Sequence, residues 1–140
     1  MKIYNAGLNI KTLMKYNNRF PNKKINVLRS YGIRNQEDIK FRTTHRNKCF
    51  SLIEDSGTYS ANNRKPGTGP PITFNGYLDY ILRNGKYYNW YFNFDIDFSD
   101  HGFGTNIHYQ KRMEEVGLNP VPVVHSIYGY EIDYQLRRRF

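Results

Sequence analysis

At 140 residues the chain is expected to make one domain or part of a larger architecture, and it falls short of the roughly 250 residues of a complete (β/α)8 barrel. Its 39% hydrophobic and 16% aromatic content argues against disorder despite a mean hydropathy of −0.78. The net charge of +9 is uneven: residues 1–70 carry 14 Lys/Arg against 4 Asp/Glu, and residues 71–140 carry 7 against 8.

The basic excess of the N-terminal half points to a polyanionic partner, nucleic acid first, unless it marks only a soluble basic protein of a Lys- and Asn-rich proteome. Cys49 is the only cysteine, so no intrachain disulfide can form and a reducing compartment is expected. No apolar leader and no membrane-length run is present, which leads to a cytosolic expectation.

In chain order, "KIYNAG" (2–7) reads as a short strand ending at Gly7. Asn9 caps a helix whose Ile10, Leu13 and Met14 share one face. "INVLRSY" (25–31) is a second strand, "NQEDIKF" (35–41) a helical turn and "RTTHRNK" (42–48) a basic connection. "CFSLIED" (49–55) has the continuous apolar character of a buried parallel strand. "NNRKPGTGPP" (62–71) is a loop, and a helix capped by Thr73 runs to a stop at Gly85 in the C′ position. "YYNWYFNFDID" (87–97) is an aromatic strand. A helix capped by Thr105 or Asn106 follows, with Ile107, Met113 and Val116 on its apolar side and Gly117 and Pro120 at its end. "PVPVVHS" (120–126) is a short strand, and "YEIDYQLRRRF" is a last helix. The alternation predicts an α/β fold with a mainly parallel sheet and flanking helices.

Three of these strands end in polar groups: Asp55, then Asp95 and Asp97, then His125. In parallel α/β folds the C-terminal strand ends form the binding face, so these side chains are expected on one lip. Alternation predicts that Asp95 and Asp97 point to the same side. The types present at Asp95, Asp97, His101, His108 and His125 would also suit a metal, but no H-x-H or H-E-x-x-H spacing occurs. "HGFGTN" lacks the full dinucleotide fingerprint, and no P-loop is found.

"MKIYNAGL", "LIEDSGTYS", "NFDIDFSD" and "YQKRMEEVGLNPVPVVH", in that order, resemble phage and bacterial relatives of the tRNA-guanine and DNA-guanine transglycosylases, TIM-barrel base-exchange enzymes. The likeness runs over most of residues 1–126. It implies half of a barrel, with Asp55 near the glycosidic bond and base, Asp95 or Asp97 on the purine edge, and His125 as a base contact. Ser56 and Gly57 complete the strand-end motif, and Arg64 and Lys65 in the following loop are expected to hold phosphates. No cofactor is expected. The family's nucleophilic Asp and zinc-binding cysteines come later than Phe140, and Thr58 stands where the family has Gly or Ala. Base exchange is therefore expected only with a partner that supplies the missing strands, and the open edge of a half barrel implies a homodimer or a second chain. Two other readings stay open: a noncatalytic phage protein that binds nucleic acid or inhibits through its basic half, and a metal-dependent hydrolase.

Overall fold

A computed structural model describes residues 2–33, 35–65, 71–99, 101–126 and 129–138. Its strands are β1 (Asn5–Ala6), β2 (Ile25–Ser30), β3 (Cys49–Asp55) and β4 (Trp90–Tyr91). They form one all-parallel sheet in sequential order β1-β2-β3-β4. The helices between and after them are α1 (Ile10–Arg19), α2 (Gln36–Arg42), α3 (Thr58–Asn62), α4 (Phe74–Asn84), α5 (Phe103–Glu115) and α6 (Tyr130–Arg137). Phe92 bridges in parallel to Val121, which adds a fifth chain segment beside β4. Each strand thus lies next to its successor, the neighbour order of a barrel rather than of a doubly wound sheet.

Local chemistry explains the elements. Asn9 accepts from the Thr12 amide to cap α1. Asn35 and Asp38 make a reciprocal capping box on α2, which extends the helical turn expected there to seven residues. Val27 and Leu52, together with Leu13 of α1 and Phe41 of α2, form one apolar cluster behind the sheet. Tyr31, Tyr77, Ile81, Phe94 and Met113 form a second. Glu54 and Tyr91 are register partners, as are Ile53 and Trp90. Ser51, Ile53, Asp55, Leu28, Ser30 and Trp90 therefore share the face opposite the helix-packed side of Val27 and Leu52.

Several sequence expectations change. The aromatic strand 87–97 shrinks to Trp90–Tyr91, because asparagine side chains take over the ladder at both ends. Asn89 Oδ1 accepts from the Leu52 amide, and Asn93 Oδ1 accepts from the Val123 amide. The 120–126 strand reduces to the bridge at Val121, flanked by Pro120 and Pro122, which have no amide to donate. Gly85 ends α4 in the right-handed region and continues into a 3₁₀ turn at Gly85–Tyr87, so it is not a left-handed stop. Helix α5 starts at Phe103, two residues before the expected cap; Asn106 is inside it and turns back to bond both backbone groups of Asp97. Phe103 is buried on that helix, while Val116, expected on its apolar side, is exposed.

Candidate functional site

The site grows from the end of β3. Alternation places Glu54 and Asp55 on opposite faces, and they meet different fates. Glu54 is 1% exposed, on the helix side. Burial raises its carboxyl to about 8 against hydrogen bonds from Tyr88 and Tyr80. Asp55 reaches the lip. Its Oδ2 accepts from the Gly57 amide at 2.9 Å, closing a turn in which Gly57 has φ 76°. Burial pushes the Asp55 carboxyl up, the Gly57 bond opposes this, and the nearby charge of Asp95 adds to the rise.

Beside Asp55 a cavity of about 190 Å³ opens at the C-terminal ends of β1, β2 and β3. Ala6, Leu28, Ser30 and Ile33 form much of its wall, and Ser60 of α3 lines it together with Asp55. On the other side of Asp55 stands a polar cluster in which Ser56, Thr58 and Asp95 are buried and His125 is exposed. Ser56 Oγ donates to Asp95 Oδ1 at 2.7 Å, Thr58 Oγ1 donates to the Asp95 carbonyl at 2.7 Å, and His125 Nε2 lies 3.4 Å from Asp95 Oδ2. The His125 ring packs on Phe98, and its backbone amide donates to Glu131 Oε2 of α6 at 2.8 Å. Asp55 therefore lies at the junction of an open cavity and the buried Asp95 carboxylate, which the more exposed His125 ring flanks.

The structure thus brings Asp55, Ser56, Gly57, Asp95 and His125 to one end of the sheet. Asp97 departs from the expected alternation: the chain has left the ladder by that point, and its carboxylate accepts from the amide and hydroxyl of Ser99. These bonds hold its carboxyl below the usual range. Arg64 and Lys65 follow α3, whose last residue Asn62 donates to the Ile96 carbonyl and so anchors the segment at the same lip. Much of the 62–71 loop, residues 66–70, lies outside the described residues, as does Asp100. Two contributors escape the sequence pattern. Thr58 follows the strand-end Asp-Ser-Gly with no role marked for it in the sequence, yet its hydroxyl fixes the segment carrying Asp95. Glu131 sits six residues beyond His125 in another element, and no spacing rule links them.

Among the described residues no group of three or more His, Cys, Asp or Glu side chains is arranged to hold a metal ion. His108, one of the candidate ligands, lies on α5 against Tyr109. No described helix is long and apolar enough to cross a membrane. Comparison with protein families, with curated proteins and with solved structures finds no match for the chain. What fold and site define together is the class: an all-parallel α/β protein with an acidic site at its C-terminal strand ends.

Proposed function

We propose that the chain binds the hydrogen-bonding edge of a guanine-type base at Asp55, as the free base or as part of a nucleic acid. The observation that carries this reading is the position of Asp55 between the cavity and the buried Asp95 carboxylate, with His125 beside it. A cavity of about 190 Å³ suits one heterocycle; it is below the roughly 300–1,000 Å³ typical of pockets for larger ligands. A carboxylate accepts two parallel N–H donors, which guanine offers on one edge and adenine does not. Asp95 and His125 position the lip, and the charge of Asp95 acts on Asp55. Arg64 and Lys65 are suited to the phosphates of a polynucleotide. Base exchange requires a nucleophilic carboxylate from a second chain, a homodimer partner or a separate subunit that completes the barrel. The proposed setting is the cytoplasm of a bacterial or phage-infected cell.

Calorimetric titration with guanosine and adenosine tests the reading. Guanosine should bind at least about tenfold more tightly, since a site built to pair with donors rejects a ligand lacking them. Asp55→Asn should abolish the preference. Equal binding of the two nucleosides, or none at millimolar concentration, overturns it.

A further inference from the structure

The opposite end of the sheet carries the opposite charge. The segments leading into the four strands, residues 2–4, 19–25, 43–49 and 85–90, contain seven Lys or Arg and no Asp or Glu. Two of these cations, Arg46 and Lys86, lie in turns that pack on the aromatic residues before β4. Lys2, Lys23 and Lys24 are exposed. The placement of this group follows from the ladder. Ile25 pairs with Cys49, Lys24 is close enough to Cys49 to act on its thiol, and Asn26 holds the Ile3 carbonyl.

Exposed aromatic rings stand among these cations. Cys49 and Ser51 face successive residues of β2, so Phe50 is the extra residue of a bulge and stands 62% exposed. Trp90 is 51% exposed on the Asp55 face of the sheet, with the Lys2 ammonium 5.5 Å from its ring centre. Lys23 lies 5.9 Å from the Phe20 ring, also exposed. Large apolar rings left in solvent beside ammonium groups, with no carboxylate in the same segments, are unlike an ordinary solvated face. Bases stack on such rings without regard to sequence, while the cations take the phosphates.

We infer that the face of the sheet from its N-terminal end up to Trp90, with Trp90 and Phe50 as stacking platforms and Lys2, Lys23 and Lys24 as phosphate contacts, binds single-stranded nucleic acid. A single strand is favoured over a duplex because rings can stack only on bases that are unpaired. None of these residues lines the Asp55 cavity, and the inference does not depend on the guanine reading.

Trp90 is the only tryptophan, so its emission reports on the surface directly. The chain is titrated at low salt with a twelve-residue oligothymidylate, which offers no purine to the Asp55 cavity. Emission should be quenched, and the affinity should fall steeply with salt. Lys23→Ala with Lys24→Ala, both at exposed positions that the fold does not need, should flatten the slope by about one unit of log K per log salt. Trp90→Ala, followed through a labelled oligonucleotide, should weaken binding tenfold or more, whereas Asp55→Asn should leave it unchanged. An oligothymidylate that neither changes Trp90 emission nor binds by the label overturns the inference. So does a duplex of equal length that binds as tightly, and so does an unchanged salt slope in the double lysine variant.

Discussion

Gly57 lies directly against Gly32. A Cβ on Gly57 would fall 2.4 Å from the Gly32 amide nitrogen and 2.6 Å from Ser30 Oγ. Gly57 also has φ 76°, so two independent costs meet at one residue. The contact joins the chain leaving β2 to the chain leaving β3, and the Asp55 turn depends on it. Gly57→Ala should therefore cost about 3 kcal/mol or more. Gly7 provides the control: its φ is 79°, but nothing lies within 4 Å of where an alanine methyl would sit. Gly7→Ala should cost only about 1 kcal/mol, the backbone cost alone. Urea denaturation of both variants checks the difference; equal losses would mean that the Gly57–Gly32 approach contributes nothing.

Asp95 should be sensitive to its hydroxyl partners. Ser56 is 1% exposed, and its Oγ donates to a carboxylate that is itself buried. Ser56→Ala removes a hydrogen bond to a charged group and leaves the lone pair of Asp95 Oδ1 with only the longer Thr58 contact at 3.4 Å. The expected loss is about 2 kcal/mol. Ser60→Ala, at an exposed position lining the cavity, should change stability by less than about 0.5 kcal/mol. Thermal unfolding of the pair measures the contrast, and a Ser56→Ala variant as stable as Ser60→Ala would argue against the buried cluster.

The parallel α/β character is legible in the sequence because the central strands β2 and β3 keep their own signatures. "CFSLIED" is apolar through its centre and buried there on both faces, and Asn9 and Thr73 act as the caps their positions announce. The convergence of Asp55, Asp95 and His125 is legible for the same reason, since strand order alone brings their ends together. What pattern reading loses is side-chain substitution for backbone pairing. Asn89 and Asn93 look like ordinary strand residues, but their amides terminate β4 early and thereby turn Asp97 away from Asp95. Helix α3 is hidden too, because five residues after a left-handed glycine carry no periodicity to detect. Glu54 stands beside Asp55 in the strand-end motif, whereas a period of two sends it into the core.

Arg46 shows how a basic cluster can be structural. Its guanidinium donates to the Tyr87 carbonyl, the Cys49 carbonyl and Asn89 Oδ1, and so ties the start of β3 to the approach of β4. Arg46→Ala should destabilise the fold by about 2 kcal/mol, because three acceptors lose a charged donor. Arg46→Lys should rescue little, since one ammonium cannot reproduce the planar fork. Lys48→Ala, in the same turn, should stay within about 0.5 kcal/mol. Denaturant midpoints for the three variants test this; full rescue by lysine would show that only the charge matters.

Glu54 makes stability depend on pH in a direction opposite to that of a salt-bridged carboxylate. Its carboxyl is surrounded by the Tyr80 and Tyr88 hydroxyls, which also bond each other, with Asp38 and its ion-pair partner Arg29 nearby. Burial raises the folded-state value to about 8, against about 4.5 for the ordinary side chain. Between these two values the folded chain holds a proton that the unfolded chain has released. Stability must then fall as pH rises through this window, by up to about 1.4 kcal/mol per pH unit, and level off above about 8, where both states are ionised. Asp55 is also raised by burial and adds a slope of the same sign. Glu54→Gln separates the two, because it removes the titration at the core and leaves Asp55 in place. Urea midpoints at pH 5, 6, 7, 8 and 9 should decline steadily up to about pH 8 in the parent chain and decline much less in Glu54→Gln between pH 6 and 8. Parallel curves for the two proteins across that range would show that Glu54 is ionised in the folded state and that its burial is compensated by its neighbours.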